Sequence, residues 1–147
     1  MSRDKVLAYA LKALARREHS VVGLRTKIEH RFEGVPSDTV TDILDELIRR
    51  KYLDDDRFAA TFILNRPGRS RMWFEASLAQ AGVEAERITL ALDAQDWPSL
   101  ETIVQDKMKG FGLTPPLQPK EAARLSRTLM RLGYDGEEVR AELENLL

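Results

Sequence analysis

With 147 residues and 43% hydrophobic content the chain can bury the core of one ordinary domain, and the absence of cysteine excludes disulfides and thiolate metal sites. Charged residues at 32% and aromatics at 7% suit an all-helical protein with much solvated surface, and no apolar run approaches the roughly 20 residues that a membrane-spanning helix needs. The net charge of −1 is unevenly spread, with 11 basic against 8 acidic residues over 1–51, 5 against 8 over 52–98 and 7 against 8 over 99–147, so no segment demands nucleic acid by charge alone.

Nine short helices can be read in three groups of three. The charged start, Met1-Ser2-Arg3-Asp4-Lys5, leads straight into a helix from about Asp4 to Arg17, with Val6, Leu7, Ala10, Leu11 and Leu14 on one face. No signal peptide is visible there, and a soluble cytoplasmic monomer is the expectation. Ser20 has the chemistry of an N-cap for a second helix carrying Leu24 and Ile28, which Phe32 ends before Gly34. Pro36-Ser37-Asp38 opens the third helix, which presents Val40, Ile43, Leu44, Leu47 and Ile48 inward and Asp42, Asp45, Glu46 and Arg49 to solvent.

The second group opens at Asp54. Phe58, Phe62 and Ile63 form its apolar side, and Pro67-Gly68 stops it. A helix from about Ser70 to Ala81 follows, with Met72, Phe74 and Leu78, and then one with Ile88 and Leu92. The third group starts near Trp97-Pro98-Ser99 and includes Leu100, Ile103, Val104 and Met108. It crosses a loop over 110–116 and continues from Pro119 through Ala122, Leu125, Leu129 and Leu132. It ends in a helix capped by Asp135 and carrying Val139 and Leu143.

One pattern recurs in all three groups. Gly34-Val35, Gly82-Val83 and Gly133-Tyr134 are each followed after four residues by Val40, Ile88 or Val139, and after three more by Leu44, Leu92 or Leu143. The glycines lie 48 and 51 positions apart. A glycine that ends a helix in a left-handed conformation, with an apolar residue folding back behind it, explains the first part of the pattern. An apolar pair four apart on one helix face explains the second. A module of about 45 residues is marginal alone, so neighbouring modules must stack to bury their remaining apolar faces. The predicted fold is all-α, with three tandem three-helix repeats at 1–53, 54–96 and 97–147 stacked into an elongated, curved solenoid. Such shapes serve mostly as binding surfaces.

No catalytic, cofactor or metal constellation assembles. His19 and His30 are 11 positions apart with no supporting pattern, His19 at a helix junction and His30 on a helix. Gly110-Phe111-Gly112 lacks the Gly-Lys-Ser/Thr of a phosphate loop. Asp54-Asp55-Asp56 fails as a calcium loop because Ala59 stands at its sixth position and Asn65 at its twelfth. These carboxylates read better as a cap and its first turn, where the helix dipole favours negative charge. The candidate contacts for an acidic partner are cationic. Arg66, Arg69 and Arg71 surround the Pro67-Gly68 turn beside Trp73 and Phe74, and Arg124, Arg127 and Arg131 share one helix face next to Lys107 and Lys109. Both sets also read as solvated charge.

Ala13-Leu14-Ala15-Arg16-Arg17-Glu18-His19-Ser20, followed by Leu24 and Lys27, resembles the opening motif of the RecX regulatory proteins. Tyr52-Leu53-Asp54-Asp55-Asp56-Arg57-Phe58-Ala59, with Phe62-Ile63 and Arg66, resembles that family's most distinctive block, and the Gly82-Val83 and Gly133-Tyr134 turns are similar to its later portions. Where the family usually has a Gly-Tyr-Gly-like turn, this chain has Arg66-Pro67-Gly68-Arg69-Ser70-Arg71. The resemblance implies three tandem three-helix repeats. It also implies a non-enzymatic regulator that binds the RecA recombinase filament on DNA, lies in its helical groove, and limits filament growth and RecA activities. On that reading Arg66, Arg69, Arg71, Arg124, Arg127 and Arg131 are the expected partner contacts. The alternative is a direct DNA binder that uses its three-helix units as helix-turn-helix-like modules.

Overall fold

The computed structural model describes residues 2–147, and among these it contains helices only. In chain order they are α1 (Arg3–Arg16), α2 (Val21–Arg31), α3 (Ser37–Arg49), α4 (Asp55–Leu64), α5 (Arg71–Gln80), α6 (Ala85–Asp93), α7 (Leu100–Phe111), α8 (Pro119–Arg131) and α9 (Gly136–Glu144). The starts follow the expected chemistry. Ser20, Asp54, Ser99 and Asp135 accept amide hydrogens of the first turns of α2, α4, α7 and α9. At α8, Pro119 fills the first position and the Glu121 carboxylate accepts from the Gln118 amide.

The three repeated glycines are all left-handed, with φ of 84°, 86° and 98° at Gly34, Gly82 and Gly133. At the last two the turn closes in the same way. The Val83 and Tyr134 amides reach back to the Leu78 and Leu129 carbonyls, while the glycine amides bond Ala79 and Met130. The first corner is looser, since the Val35 amide bonds only the carbonyl of Phe32. Gly112, φ 69°, closes α7 by the same pair of bonds, to Lys109 and Met108. That moves one sequence expectation: α7 runs through Gly110 and ends at Phe111, so the loop begins two residues later than the glycine pair suggested.

Chain compactness gathers the residues into two units. The first comprises Met1–Arg66 with Ala76–Asp93, and the second Pro67–Glu75 with Ala94–Leu147, so the division falls within α5. The first unit holds a core of Val6, Ala10, Ala13, Leu24, Ile28, Val40, Ile43, Leu44, Leu47 and Leu53. The second holds Val104, Met108, Leu117, Leu125, Leu129, Val139 and Leu143. Three residues read on apolar faces are exposed, the first being Leu11 of α1 at 37%. Ile48 lies at the edge of the α3 stripe and is 42% exposed, and Met72 is 54% exposed because Phe74 and Leu78 take the buried side of α5.

Candidate partner-binding surface

The Asp-rich block that opens α4 proves to be a local framework. Asp54 accepts from the Asp56 and Arg57 amides, capping its own helix, and these bonds hold its carboxyl below the usual range. Asp55 reaches a different helix: its Oδ1 accepts from the Val21 amide at 2.8 Å, at the start of α2. Burial pushes the Asp55 carboxyl up, and the Val21 bond offsets part of that. Asp56 pairs with Arg87 of α6 at 2.8 Å. Arg57 pairs with Glu18 after α1, while its other nitrogens donate to the Lys51 and Tyr52 carbonyls beyond α3. Four consecutive residues thus fasten the ends of α1, α2, α3 and α6 around the start of α4. The expected cap and acidic first turn are both present, Asp54 capping α4 with Asp55 and Asp56 in its first turn, and beyond that Asp55 accepts from α2 and Asp56 pairs with α6.

Two serines do matching work. Ser20 Oγ accepts from the Gly23 amide and donates to the Ala81 carbonyl at 2.7 Å. Ser70 Oγ accepts from the Trp73 amide and donates to the Gly133 carbonyl, also at 2.7 Å. Each serine starts the middle helix of one three-helix group and grips the glycine corner that ends the middle helix of the next. The glycines are required there. A Cβ on Gly82 would lie 2.5 Å from Val22 Cβ, and one on Gly133 would lie 2.5 Å from Trp73 Cβ. Sequence reasoning gave Ser20 only its cap and left the shared grip of both serines unseen, although Ser20 and Ser70 lie 50 apart, in step with the glycines.

The six predicted contact arginines differ in their surroundings. Arg66 lies over the Phe62 ring, 3.7 Å from its centroid, and donates to the Phe62 carbonyl. Arg71 is half-buried and pairs with Glu75 one turn on, at 3.3 Å. Arg69 is half-buried over Trp73, and its guanidinium donates to the Arg131 carbonyl, which brings the two predicted clusters together at that point of the second unit. Arg124 stands over Phe111, 3.9 Å from the ring centroid. Arg127 and Arg131 are exposed, and no carboxylate among the described residues pairs with either side chain. Of the six predicted arginines, α8 therefore carries the two uncommitted ones, Arg127 and Arg131, beside Arg124, whose guanidinium lies over the Phe111 ring.

His19 sits at the α1–α2 junction, as expected, and is 5% exposed. Its Nδ1 lies 3.0 Å from the Arg17 carbonyl and its Nε2 meets no partner. Burial pushes its pKa below the usual imidazole value. Among the described residues no group of three or more His, Cys, Asp or Glu could hold a metal ion, and no helix is long and apolar enough to cross a membrane.

No protein-family model matches the chain. Curated relatives do. The chain is 35% identical over 135 residues to the regulatory protein RecX of Leptothrix cholodnii, covering 91% of itself and 84% of that protein. The chain belongs to the RecX family of regulatory proteins. RecX of Halorhodospira halophila is 34% identical over 90% of this chain and 82% of its own. The fold agrees: the crystal structure of RecX from Lactobacillus salivarius superposes with a TM-score of 0.68 at 12% identity, over 98% of this chain and 96% of that one. A second RecX crystal structure gives 0.65 at 16% identity, over 97% of this chain and 71% of that one. The three all-α repeats are thus those of a RecX fold, and the glycine corners and the Asp54–Arg57 framework are how this RecX-family chain builds them.

Proposed function

We propose that this chain regulates RecA by binding the RecA filament on DNA in its helical groove, where it limits filament growth and with it ATPase, strand-exchange and coprotease activity. Membership of a regulatory family supports the general role. The observation that carries the finer reading is the exposed, uncommitted pair Arg127 and Arg131 on α8, beside an Arg124 pre-set over Phe111. A charged face of this kind gives register and steering toward an acidic partner. The repeat units 1–53, 54–96 and 97–147 would each offer an outer face to successive protomers, and the chain would act as a cytoplasmic monomer. No step requires a catalytic group of this chain: a ligand that prefers one state of a filament shifts its equilibrium by that preference alone.

The test is ATP turnover by RecA on single-stranded DNA. The native chain should reduce turnover at substoichiometric amounts. The double reversal Arg127→Glu with Arg131→Glu should weaken inhibition by about tenfold or more, with the far-ultraviolet circular dichroism unchanged. Undiminished inhibition by that variant removes the site assignment. Direct DNA binding is the second reading, favoured by the stacked arginines Arg69 and Arg124. It requires binding by the chain alone with a steep salt dependence. A flat titration at low salt removes it.

A further inference from the structure

A left-handed glycine follows the middle helix of each group; two of these corners are filled, and the Gly34 corner, where the Val35 amide bonds only the Phe32 carbonyl, is looser than those two. At Gly82 the occupant is the start of α2: the Ser20 hydroxyl bonds the Ala81 carbonyl, and Val22 covers the glycine. At Gly133 it is the start of α5: the Ser70 hydroxyl bonds the Gly133 carbonyl, the Ser70 amide bonds the Leu132 carbonyl, and Trp73 covers the glycine. In both cases the incoming piece is the first turn of a serine-capped helix whose second or third residue lies where a Cβ would be. The third corner is empty. Gly34 has the same left-handed backbone, φ 84°, but nothing lies within 4 Å of its Cβ position. Among the described residues the Glu33 and Gly34 carbonyls accept no hydrogen bond. Beside the corner opens a cleft of about 360 Å³ lined by Val6, Val35, Pro36, Asp38 and Arg3, which pairs there with Asp42 at 3.1 Å.

We propose that the Gly34 corner is a docking site for the first turn of a serine- or threonine-capped helix of another protein, one with basic residues beside the cap. Three observations choose this occupant. The internal copies show the hydroxyl-to-carbonyl grip that the free Glu33 and Gly34 carbonyls repeat. The surroundings hold more acid than base: Arg3 is taken up by Asp42 and Glu46, whereas Glu33 and Asp38 are exposed and, among the described residues, Asp38 has no ion pair, so it attracts the roughly half positive charge of a helix N-terminus. The internal occupant at Gly133 also brings Arg69 and Arg71 on either side of its serine. The apolar side chain at the second or third helical position then covers Gly34, as Val22 and Trp73 cover their glycines. This site involves none of the six arginines and stands whether or not the RecA reading does.

The experiment uses the full chain, labelled for amide NMR, and a helix-stabilised synthetic peptide with the sequence of residues 69–80. The expected result is a set of shifts confined to Gly34 through Thr39, with the Gly82 and Gly133 amides unmoved because their corners are occupied. Replacing the peptide's cap serine by alanine should weaken binding about two- to tenfold, the worth of one net hydrogen bond. Gly34→Asn tolerates the left-handed backbone but fills the socket, so it should abolish the shifts. Asp38→Lys, on an exposed site that cannot unfold the chain by strain, should weaken them severalfold. No shifts at millimolar peptide, shifts centred elsewhere, or undiminished binding by both variants would overturn the proposal.

Discussion

The corner at Gly82, in the first unit, and the corner at Gly133, in the second, have the same backbone and the same serine grip, but different supports. Around Gly82 the polar frame is dense: Asp55 caps α2, Asp56 holds Arg87, and Arg57 joins Glu18 to the end of α3. Aligning the caps Asp54 and Ser99 puts Leu100, Glu101 and Thr102 where Asp55, Asp56 and Arg57 stand, and none of these makes the corresponding tie. Around Gly133 an aromatic ring covers the corner in place of Val22, and Arg69 reaches the Arg131 carbonyl instead. The repeated turn is thus a backbone requirement, whereas what stabilises it is local and replaceable. One junction relies on charge and caps, and the other on a large ring with a cation stacked on it.

The largest effect should come from testing the shared part. Gly82→Ala and Gly133→Ala each combine a left-handed non-glycine residue with a Cβ contact of 2.5 Å. Each should cost about 2–4 kcal/mol in urea unfolding, the sum of about 1 kcal/mol of backbone strain and 1–3 kcal/mol of overpacking. Gly34→Ala meets open space and should cost only about 1 kcal/mol. Val22→Ala should rescue Gly82→Ala poorly, because the clash reaches the Cβ that alanine keeps. Equal costs at all three glycines would show that the corners are not differently filled.

Next come the supports. Asp55→Ala strands the Val21 amide at the start of α2 and should cost about 1–2 kcal/mol. Asp55→Asn keeps an acceptor and loses a half-buried charge, so it should cost clearly less. If alanine and asparagine are equally damaging, the carboxylate acts by charge and the hydrogen bond is incidental.

The helices, their order and the glycine turns were legible because they depend on neighbours within a turn or two: cap chemistry, apolar spacing, and the one residue type that takes positive φ at little cost. The Asp55–Val21 and Arg57–Glu18 ties join residues 34 and 39 positions apart, and spacing along one helix carries no trace of them. Met72 shows the limit on one helix. Its position suits an apolar face, but the Ser70 cap places Trp73, three residues on, at the glycine corner, and Met72 is left outside. At the candidate contact surface the arginines were found by charge. Which of them are already engaged depended on Phe111, Trp73 and a distant carbonyl.

Acid should separate the junctions with a smaller effect. His19, on the side of the first junction, is held neutral by burial, so its folded pKa lies below the unfolded value. The unfolded chain therefore binds the proton first, and stability present above pH 6.5 is lost as pH falls through that value. Asp54, also lowered, adds a loss of the same sign below the ordinary aspartate value of 3.8. Asp55, raised by burial, opposes that loss over the carboxylate range. Between pH 7.5 and 5.5 the His19 contribution should lower the urea midpoint of the native chain, and His19→Asn should remove that fall. A native midpoint that is unchanged, or rises, over that window would remove the assignment.

The smallest effect concerns how the two units end a helix. α7 stops at Gly112 and α3 stops at Lys51, both left-handed, with φ of 69° and 66°. Their bonds match: the Lys51 and Tyr52 amides return to Ile48 and Leu47 as the Gly112 and Leu113 amides return to Lys109 and Met108. Lys51 bears a steric cost of about 1–2 kcal/mol that glycine would not, while glycine in the unfolded chain forfeits about 0.5–1 kcal/mol of that in entropy. Lys51→Gly should therefore stabilise the chain by about 0.5 kcal/mol, because Arg57 bonds the Lys51 carbonyl and the substitution leaves that acceptor in place. Destabilisation instead would mean that the lysine side chain itself supports the Asp54–Arg57 framework, and that the charged junction extends one residue further back along the chain than its hydrogen bonds do.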